Sequence, residues 1–472
     1  MASALVPESP ATSTLAGALP GLTLVTDPDV LRSLGHDEAE WAPAGAAVGA
    51  VRARSTEDVR RVVAACAERG IPVVPRGAGT GLSGGANAVD GGLVLDLSTM
   101  DRVLEIDTEN MIAVVQPGVV NDDLKAAVAA HGLWYPPDPA SAPWSTIGGN
   151  VATNAGGLCC LKYGVTRDYV LGLEAVVGGP AGAYGTVVRL GRRTTKGVSG
   201  YDLTSLFVGS EGTFGVITEI TLRLRPARAS APRTVVGAFD AVVAAGEAVA
   251  ATTRRGLVPA ALEMLDRFTL RAVEDWKHLG LDADAEVLLL AQVDTPGRAG
   301  DEEAAAVADA FRGAGALWAE QSTDEVEAEA LFAARRLAYP ALERLGPLLT
   351  EDVCVPRSKL PDMLAAIEDI ARRHDTSIST IAHAGDGNLH PLIRTPAGDD
   401  AARERAQGAF EEMLAAAIAL GGTVTGEHGV GLLKRGGMRQ ELSPGVLAMQ
   451  QAVKQTLDPL DLFNPGKVVG IP

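Results

Sequence analysis

The stretch Pro75-Arg76-Gly77-Ala78-Gly79-Thr80-Gly81-Leu82-Ser83-Gly84-Gly85 decides how the rest of this chain is organised. Five of its eleven residues are glycines, and the apolar run at 71–74 that precedes it predicts a β-strand. Because glycine has no side chain, the backbone N–H groups of such a loop stay uncovered and can surround a phosphate. The sequence therefore predicts an anionic ligand at this loop.

Residues 79–84 also fit the pattern G-x-G-x-x-G, which is typical of nicotinamide-binding Rossmann units. That unit needs a helix that opens at the last glycine. Here only residues 86–92 separate the loop from a second predicted strand at 93–97, and this leaves no room for a helix. The Rossmann interpretation is therefore disfavoured, whereas an ordinary glycine-rich loop stays open as an alternative for this stretch taken alone.

The length and the charge exclude some classes of protein. The 472 residues suffice for two or three domains, and a hydrophobic fraction of 47% is ordinary for a globular protein. A net charge of −18 argues against a nucleic acid as partner, because binding its backbone needs an excess of Lys and Arg. An anionic substrate would have to be held against this field by a locally placed arginine.

The cysteines and the N-terminus bear on the cellular compartment. The four cysteines are Cys66, Cys159, Cys160 and Cys354. None forms a C-x-x-C pair, so neither a disulfide framework nor a zinc ribbon is expected. Residues 1–21 lack the basic start of a secretory signal, and no run of about 18 apolar residues could span a bilayer. These features predict a cytoplasmic protein, and peripheral attachment to a membrane through a partner stays open.

The remaining pattern predicts two α/β units. Residues 1–40 are rich in Ala, Pro and Ser and are expected to be a loosely held lead-in. A helix capped by Ser55, the strands around the glycine loop, a hairpin at 103–116 and a helix capped by Asn121 should follow. Pro and small residues at 226–232 mark a boundary, beyond which strands and helices alternate as in a second α/β sandwich. Its helices are expected at 242–255, 302–312, 323–345, 359–373, 402–420 and 444–457.

A second informative stretch spans residues 136–157. Its glycine-rich part is too polar for a core helix and too long for a plain turn. We therefore expect it to lie against a flat or extended ligand, which Thr153 and Asn154 could hydrogen-bond. An irregular surface loop is the alternative. A third glycine cluster at 209–217 then leads into an alternating strand at 218–224.

Three of the seven histidines fall in two short stretches near the end of the chain. His383 and His390 flank a Gly-Asp-Gly turn and can face one point from the two sides of a hairpin, and Glu427 could add an oxygen ligand. Such a set suits Zn²⁺, Mn²⁺ or Fe²⁺ with positions left open for a substrate. A neutral His428 beside it is a candidate general base. Spacing alone leaves open that these are turn histidines without a metal.

Six motifs occur in the order seen in one family of flavoproteins. They lie at 75–85, 146–157, 209–217, 383–390, 427–429 and 463–467. From about residue 40 to its end, the chain resembles the FAD-linked 2-hydroxy-acid dehydrogenases of the vanillyl-alcohol-oxidase type. This group contains D-lactate dehydrogenase, D-2-hydroxyglutarate dehydrogenase and the FAD subunit of glycolate oxidase. Six motifs in register are stronger evidence than any one of them.

The resemblance implies an α+β fold with three parts. A lead-in at 1–40 would precede a PCMH-type FAD-binding domain at 41–227, which would consist of two α+β subdomains. A substrate or cap domain at 228–472 would follow and would contain an antiparallel sheet. The last residues of the chain, from about 458 onward, would return to the flavin.

The resemblance also assigns roles to residues by position. The residues that would surround the FAD pyrophosphate are Arg76, Gly77, Ala78, Gly79, Thr80, Gly81 and Ser83. Those that would line the flavin and the ribityl chain are Pro137, Asp138, Thr146, Gly149, Asn150, Thr153, Asn154, Gly156 and Gly157. The adenine end would contact Glu211, Gly215, Val216 and Ile217, and the flavin would also contact Asn464. The implied metal ligands are His383, His390 and Glu427, and the implied base is His428. The implied arginine that binds the substrate carboxylate is Arg335, and the adjacent Arg336 is the alternative for that position.

Two departures from the family pattern carry information. Covalent members of the superfamily attach the flavin through a histidine in the first glycine loop, and this loop has none, so the FAD should be non-covalent. In 2-hydroxyglutarate members an asparagine often follows the second metal histidine by two positions, where this chain has Leu392. That difference argues against a dicarboxylate and favours lactate-like, glycolate-like or longer apolar hydroxy acids.

The implied reaction is the oxidation of a D-2-hydroxy acid to the 2-oxo acid by hydride transfer to flavin N5, with a divalent metal and a histidine base. One alternative is a non-redox flavoenzyme similar to alkylglycerone-phosphate synthase, against which the lack of an obvious lipid-facing segment counts. Another is an FAD subunit that works only inside a larger complex. The electron acceptor stays open among a quinone, an electron-transfer flavoprotein, a cytochrome and O₂, and a homodimer is compatible with the resemblance.

Overall fold

The computed structural model of the chain describes residues 10–179, 183–282, 284–322 and 325–470. Helices and sheets are both abundant, and the α+β prediction is confirmed. Residues 1–9 of the predicted lead-in lie outside the described residues. So do residues 323–324, with which the predicted helix at 323–345 begins. Among the helices in the described ranges, none is long and apolar enough to cross a membrane.

The first unit carries the glycine-rich loop between two parallel strands. Its strands are β1 (Leu24–Val25), β2 (Gly49–Arg52), β3 (Val73–Arg76) and β4 (Leu93–Asp96), and its helices are α1 (Pro10–Ala18), α2 (Pro28–Leu34) and α3 (Thr56–Ala67). The sheet order is β1-β2-β4-β3, in which β1 is antiparallel to β2 and the other pairs are parallel. The fully described segment between β3 and β4 contains no helix, which confirms the expectation against a Rossmann unit.

Packing of α3 and of the chain start builds the core of this unit. Ser55 Oγ accepts a hydrogen bond from the backbone N–H of Asp58 at 3.1 Å, as predicted for the cap of α3. Leu15 and Leu19, which belong to the predicted lead-in, are buried in the same apolar core as α3. The described part of the lead-in is therefore packed onto the first unit rather than loosely held.

The second unit is built on an antiparallel sheet. Its strands are β5 (Val103–Asp107), β6 (Ile112–Val115), β7 (Leu133–Trp134), β8 (Val170–Val177), β9 (Thr186–Gly191), β10 (Val216–Arg223) and β11 (Arg225–Pro226). Its helices are α4 (Asn121–Ala129), α5 (Ile147–Thr153), α6 (Cys160–Tyr163) and α7 (Leu203–Phe207). The main sheet has the order β5-β6-β10-β8-β9, and β7 pairs separately with β11.

The prediction that the glycine-rich stretch at 146–157 is not helical is wrong, because this stretch contains α5. Thr146 Oγ1 caps the helix by accepting from the backbone N–H of Gly149 at 3.3 Å. Ile147 and Val151 stand one turn apart and are buried in the core of the second unit. One apolar stripe and one cap therefore outweigh the low helix propensity of the glycines.

The predicted cap of α4 is also wrong. Val120 precedes this helix without a side-chain hydrogen bond, and Asn121 is its first helical residue. The Asn121 side chain is buried and donates to Asn150 Oδ1 at 2.9 Å, so that it joins α4 to α5. The local sequence predicted that Asn121 caps the helix, but its side chain makes a tertiary hydrogen bond to Asn150 instead.

The third unit is a long antiparallel sheet covered by helices. Its strands are β12 (Arg233–Phe239), β13 (Ala261–Asp266), β14 (Val287–Val293), β15 (Trp318–Gln321), β16 (Leu348–Thr350), β17 (Val353–Cys354), β18 (Ile378–His383) and β19 (Asn388–Arg394). Its helices are α8 (Val242–Arg254), α9 (Arg267–Lys277), α10 (Gly297–Gly313), α11 (Glu325–Glu343), α12 (Leu360–Arg373), α13 (Asp400–Ala419), α14 (Arg435–Glu441) and α15 (Pro444–Leu457). The sheet order is β15-β12-β14-β13-β18-β19-β16, with β17 beside β19.

Both faces of this sheet are buried, which confirms the predicted antiparallel sheet and the sandwich of helices around it. One face packs against α8, α10, α12 and α13, and the other face packs against α9 and α11. The chain end then returns to the first unit, where Phe463 enters the core beside β3 and the backbone N–H of Asn464 donates to Val73 O at 2.8 Å. The functional site lies where the three units meet.

Candidate active site

One large cavity opens between the glycine loops of the first two units and the sheet of the third. It encloses about 1820 Å³ of empty space, including open solvent at its mouth. Most of the predicted site residues line it. They are Arg76, Gly77, Ala78, Gly79, Thr80, Gly81, Ser83, Thr146, Gly149, Asn150, Thr153, Gly156, Glu211, Gly215, Ile217, Arg335, Arg336, His383, His390, Glu427 and His428.

Backbone forms one side of this cavity, which we call the glycine wall and define as Gly77, Gly79, Gly149 and Gly156. A Cβ atom at Gly77 would lie 2.3 Å from Thr146 Oγ1. Gly79 has φ +83°, and a Cβ there would lie 2.0 Å from the Arg76 guanidinium. These positions leave no room for a side chain, so the wall presents N–H groups and small surfaces to a ligand.

The third glycine cluster is tied to the loop at 430–431 by a buried carboxylate and to the chain end by Asn464. Glu211 accepts hydrogen bonds from the backbone N–H groups of Val430 (2.7 Å) and Gly431 (2.9 Å). Burial raises the pKa of Glu211 to about 7, although these hydrogen bonds oppose the shift. Asn464 Nδ2 donates to the carbonyls of Gly85 (2.8 Å) and Glu211 (2.7 Å). The loops therefore hold one another in place around the cavity.

Six predicted cofactor residues do not line the cavity. They are Pro137, Asp138, Asn154, Gly157, Val216 and Asn464. Asp138 pairs with Lys125, and Asn154 ends α5 with φ +55° while its Oδ1 accepts from the backbone N–H of Arg167. Val216 is buried in the apolar core. Their contribution to cofactor binding stays a prediction, and the contacts seen here are structural.

The opposite side of the cavity is a cluster of ionisable groups, His383, His390, Glu427 and His428, which we call the histidine cluster. His383 ends β18 and His390 lies on β19, so the two strands form the predicted hairpin. Glu427 Oε1 lies 3.2 Å from His383 Nε2 and 3.3 Å from His390 Nε2. His428 Nε2 is 3.9 Å from the same oxygen, and its ring stacks on that of His390 with centroids 4.9 Å apart.

A carboxylate that the sequence analysis missed supports this cluster from behind. Glu263 is fully buried on β13, and its Oε2 lies 2.9 Å from His383 Nδ1 and 2.8 Å from Arg335 Nε. One oxygen atom therefore joins a predicted metal ligand to the predicted substrate arginine. A signal was present in the sequence, because a lone glutamate inside the apolar strand Ala261–Asp266 is rarely buried without a partner.

Buried charges set the ionisation of the cluster. Burial disfavours the carboxylate of Glu427, but His383 and His390 outweigh it and hold its pKa well below the usual range. Burial lowers the pKa of His428 to about 4, although Asp352 opposes this shift. Glu427 is therefore an anionic carboxylate and His428 a neutral imidazole at neutral pH.

The donor atoms fit the two groups that the sequence implies. On the glycine wall, a backbone surface packed so closely that a Cβ at Gly77, Gly79 or Gly156 would collide with a neighbouring side chain suits an extended phosphate-containing cofactor. In the histidine cluster, one ligand atom each of His383, His390 and Glu427 lies within 4.8 Å of the other two. Two imidazole nitrogens and one carboxylate oxygen make a suitable partial shell for a divalent cation, and the cavity leaves its remaining positions open.

Comparisons with known proteins agree with this geometry. The chain matches the family "FAD binding domain" at residues 47–191 and the family "FAD linked oxidases, C-terminal domain" at 228–468. The glycolate oxidase subunit GlcD of Bacillus subtilis is 44% identical over 88% of this chain and 87% of its own. D-lactate dehydrogenase of Anaerostipes hadrus is 35% identical over 89% of this chain and 88% of its own. The solved structure of p-cresol methylhydroxylase aligns with a TM-score of 0.80 over 98% of this chain and 96% of its own at 18% identity, which shows a shared fold.

Proposed function

The chain belongs to the FAD-linked oxidases, and from that premise we propose that it oxidises a D-2-hydroxy acid, lactate-like or glycolate-like, to the 2-oxo acid. Its relatives are named as a glycolate oxidase subunit and a D-lactate dehydrogenase, both of which point to a hydroxy acid as substrate. The observation that carries the proposal is that the glycine wall, two arginines and the histidine cluster line one cavity. FAD on the glycine wall and a small substrate at the arginines and the histidine cluster would therefore share one cavity.

The glycine wall and the loops beside it would hold FAD without a covalent bond. Arg76 is already hydrogen-bonded to His36 O at 2.7 Å, so we assign pyrophosphate contact mainly to the backbone N–H groups of residues 77–83. Thr146 and Gly149 at the start of α5 line the same cavity and would add polar contacts to the cofactor. Bound FAD would supply the electron sink for the hydrogen that leaves the substrate carbon.

His383 Nε2, His390 Nε2 and Glu427 Oε1 would hold the divalent cation. The donor types suit Zn²⁺, Mn²⁺ and Fe²⁺ alike. The bound cation would polarise the substrate oxygen. Glu263 holds His383 through Nδ1, which leaves Nε2 directed toward Glu427. A carboxylate behind a histidine ligand is the usual way to fix such a ring.

Arg335 and His428 would act directly on the substrate. Arg335 forms a buried ion pair with Glu263, and its terminal amino groups would bind the substrate carboxylate. His428 is neutral and faces the cavity, so that its Nε2 would accept the hydroxyl proton as the carbon–hydrogen bond breaks. Arg336 lines the same cavity and is a second candidate for the carboxylate contact.

The experiment that tests this function is anaerobic. The purified yellow protein is mixed in turn with D-lactate, L-lactate, glycolate, D-2-hydroxyglutarate and D-mandelate, and the visible band of oxidised flavin is followed. We expect rapid bleaching by D-lactate, D-mandelate or glycolate and little bleaching by the dicarboxylate D-2-hydroxyglutarate. An intact flavin band with every acid would contradict the proposal.

A second form of the same function is an FAD subunit that passes its electrons to a partner subunit. The Bacillus subtilis relative is named a subunit, which favours this form. The isolated chain would then bleach with substrate but turn over poorly with quinone, cytochrome or O₂ as acceptor. Steady turnover of the isolated chain with one of these acceptors would instead favour a self-sufficient dehydrogenase.

A further inference from the structure

A second buried carboxylate, Asp352, lies behind the other half of the histidine cluster. It stands between β16 and β17, is fully buried and does not line the cavity. Its Oδ2 accepts hydrogen bonds from Thr425 Oγ1 (2.8 Å) and from the backbone N–H groups of residues 426, 427 and 428 (3.0, 3.0 and 2.9 Å). One oxygen atom therefore shapes the loop that carries both Glu427 and His428.

The other oxygen of Asp352 faces two imidazoles. His390 Nδ1 lies 3.7 Å from Oδ1, and one ligand atom each of Asp352, His390 and His428 lies within 4.8 Å of the other two. Within the described part of the chain, Asp352 Oδ1 and the Nδ1 atoms of both histidines are buried and have no hydrogen-bond partner. Three buried polar atoms behind the rings are thus unsatisfied, and two of them, Asp352 Oδ1 and His390 Nδ1, lie 3.7 Å apart.

The chemistry of these atoms fixes where the ring protons lie. A carboxylate can only accept, so an imidazole nitrogen that faces it is favourable as N–H and unfavourable as a lone pair. A neutral imidazole has a single N–H, and placing it at Nδ1 leaves a lone pair at Nε2. In both rings Nε2 points toward Glu427 and the cavity, at 3.3 and 3.9 Å from its Oε1.

We propose that Asp352 is a positioning residue that holds His428 and His390 as Nδ1–H tautomers, directly or through one bridging water, and so keeps both Nε2 lone pairs on the cavity side. This inference rests on the proposed function for its purpose, since a base and a metal ligand both need that lone pair. Glu263 performs the same task for His383 at 2.9 Å. Every imidazole of the cluster then has a carboxylate behind it.

The substitution Asp352→Asn separates this role from loop structure. The amide oxygen can still accept from the backbone N–H groups of 426–428, whereas the amide NH₂ replaces Oδ1 and opposes an N–H at Nδ1. Flavin-loaded enzyme with Zn²⁺ as probe cation is prepared with ¹⁵N-labelled histidine, and the His428 signal is identified by its loss in His428→Asn. We expect Nδ1–H in the wild type and Nε2–H in the variant.

Two further measurements accompany the spectrum. Substrate-driven flavin reduction in Asp352→Asn should fall by up to roughly 10⁴-fold, and no further than in His428→Asn, as when the carboxylate behind a catalytic histidine becomes an amide. Zn²⁺ affinity, measured by competition with a chelator, should fall about 10–100-fold. Thr425→Val is the matched control, because it removes the hydrogen bond from Oγ1 to Oδ2 and the one that Oγ1 accepts from the backbone N–H of Gly429, but it leaves Oδ1 unchanged. It should keep the wild-type tautomer.

The outcomes are distinct. An Nδ1–H signal that persists in Asp352→Asn, or an Nε2–H signal of His428 in the wild type, would overturn the inference. If Asp352→Asn does not fold, the wild-type spectrum alone decides. Failure of every hydroxy acid to bleach the wild-type flavin would instead contradict the proposed function, and the tautomer result would stand independently of it.

Discussion

The two sides of the cavity are built in opposite ways. The glycine wall works by leaving side chains out, so that a single methyl group at Gly77 would collide with Thr146. The histidine cluster instead consists of buried ionisable groups. Two carboxylates, Glu263 and Asp352, lie next to its imidazole rings on the side away from the cavity. The two regions meet at Gly156, where a Cβ would lie 2.4 Å from Glu427 Oε2. The glycine wall should therefore be disrupted by substitutions that add atoms. The histidine cluster should be disrupted by substitutions that remove a charged partner.

The largest effect is expected for the chemistry of the histidine cluster. In His428→Asn the rate of flavin reduction should fall roughly 10²–10⁴-fold because the base is lost, while FAD stays bound. Anaerobic stopped-flow absorbance measures the rate, and the flavin spectrum measures the binding. His278→Asn is the matched control, since His278 is exposed and ends α9 in a left-handed conformation that Asn also adopts. Full activity of His428→Asn would remove this residue from its role.

The next largest effect should be on stability, from the carboxylate behind the cluster. Glu263→Ala leaves Arg335 and His383 buried without their shared partner, and it should cost about 3–5 kcal/mol of the free energy of unfolding. Urea denaturation followed by circular dichroism measures the change. Glu105→Ala breaks the exposed pair with Arg193 and should change the free energy of unfolding much less, because solvent screens this pair. Equal losses in the two variants would show that burial of Glu263 carries no special energetic role.

The smallest effect of the three should come from the glycine wall. Gly77→Ala should weaken FAD binding by about 1–3 kcal/mol, or roughly 5–150-fold, because Thr146 must move from the cap of α5. Titration of the apoprotein with FAD, followed by flavin fluorescence, gives the affinity. Once fully loaded, the variant should reduce its flavin nearly as fast as the wild type. Gly17→Ala in α1, where no atom of the described residues lies within 4 Å of the added Cβ, should bind FAD normally. Unchanged affinity in Gly77→Ala would contradict the packing argument.

The contrast also explains what could be predicted from the sequence. The loop at 75–85 could be predicted from local sequence, because clustered glycines after an apolar run indicate a ligand-binding loop. The short spacer to β4 leaves no room for a Rossmann helix. The hairpin of His383 and His390 was likewise set by a turn between them. Family membership and fold followed from six such local motifs, and both are confirmed.

The residues that escaped prediction act over long distances in the chain. Glu263 lies 120 positions from His383, and Asp352 lies 76 positions from His428. No local pattern links such pairs, because the sheet order brings β13 beside β18 and the chain only later returns to the loop at 425–429. α5 was missed for a related reason. Its stability comes from packing of Ile147 and Val151 into a core that the glycine count does not reveal.

The most direct test of the central claim, that the two sides of the cavity serve one reaction, is removal of the metal from the flavin-loaded enzyme. Metal content is followed by elemental analysis while anaerobic flavin reduction by D-lactate or glycolate is recorded before chelation, after chelation and after a divalent cation is restored. We expect the flavin spectrum to persist throughout, and reduction to be lost with the metal and to return with it. Undiminished reduction in metal-free protein would contradict the account.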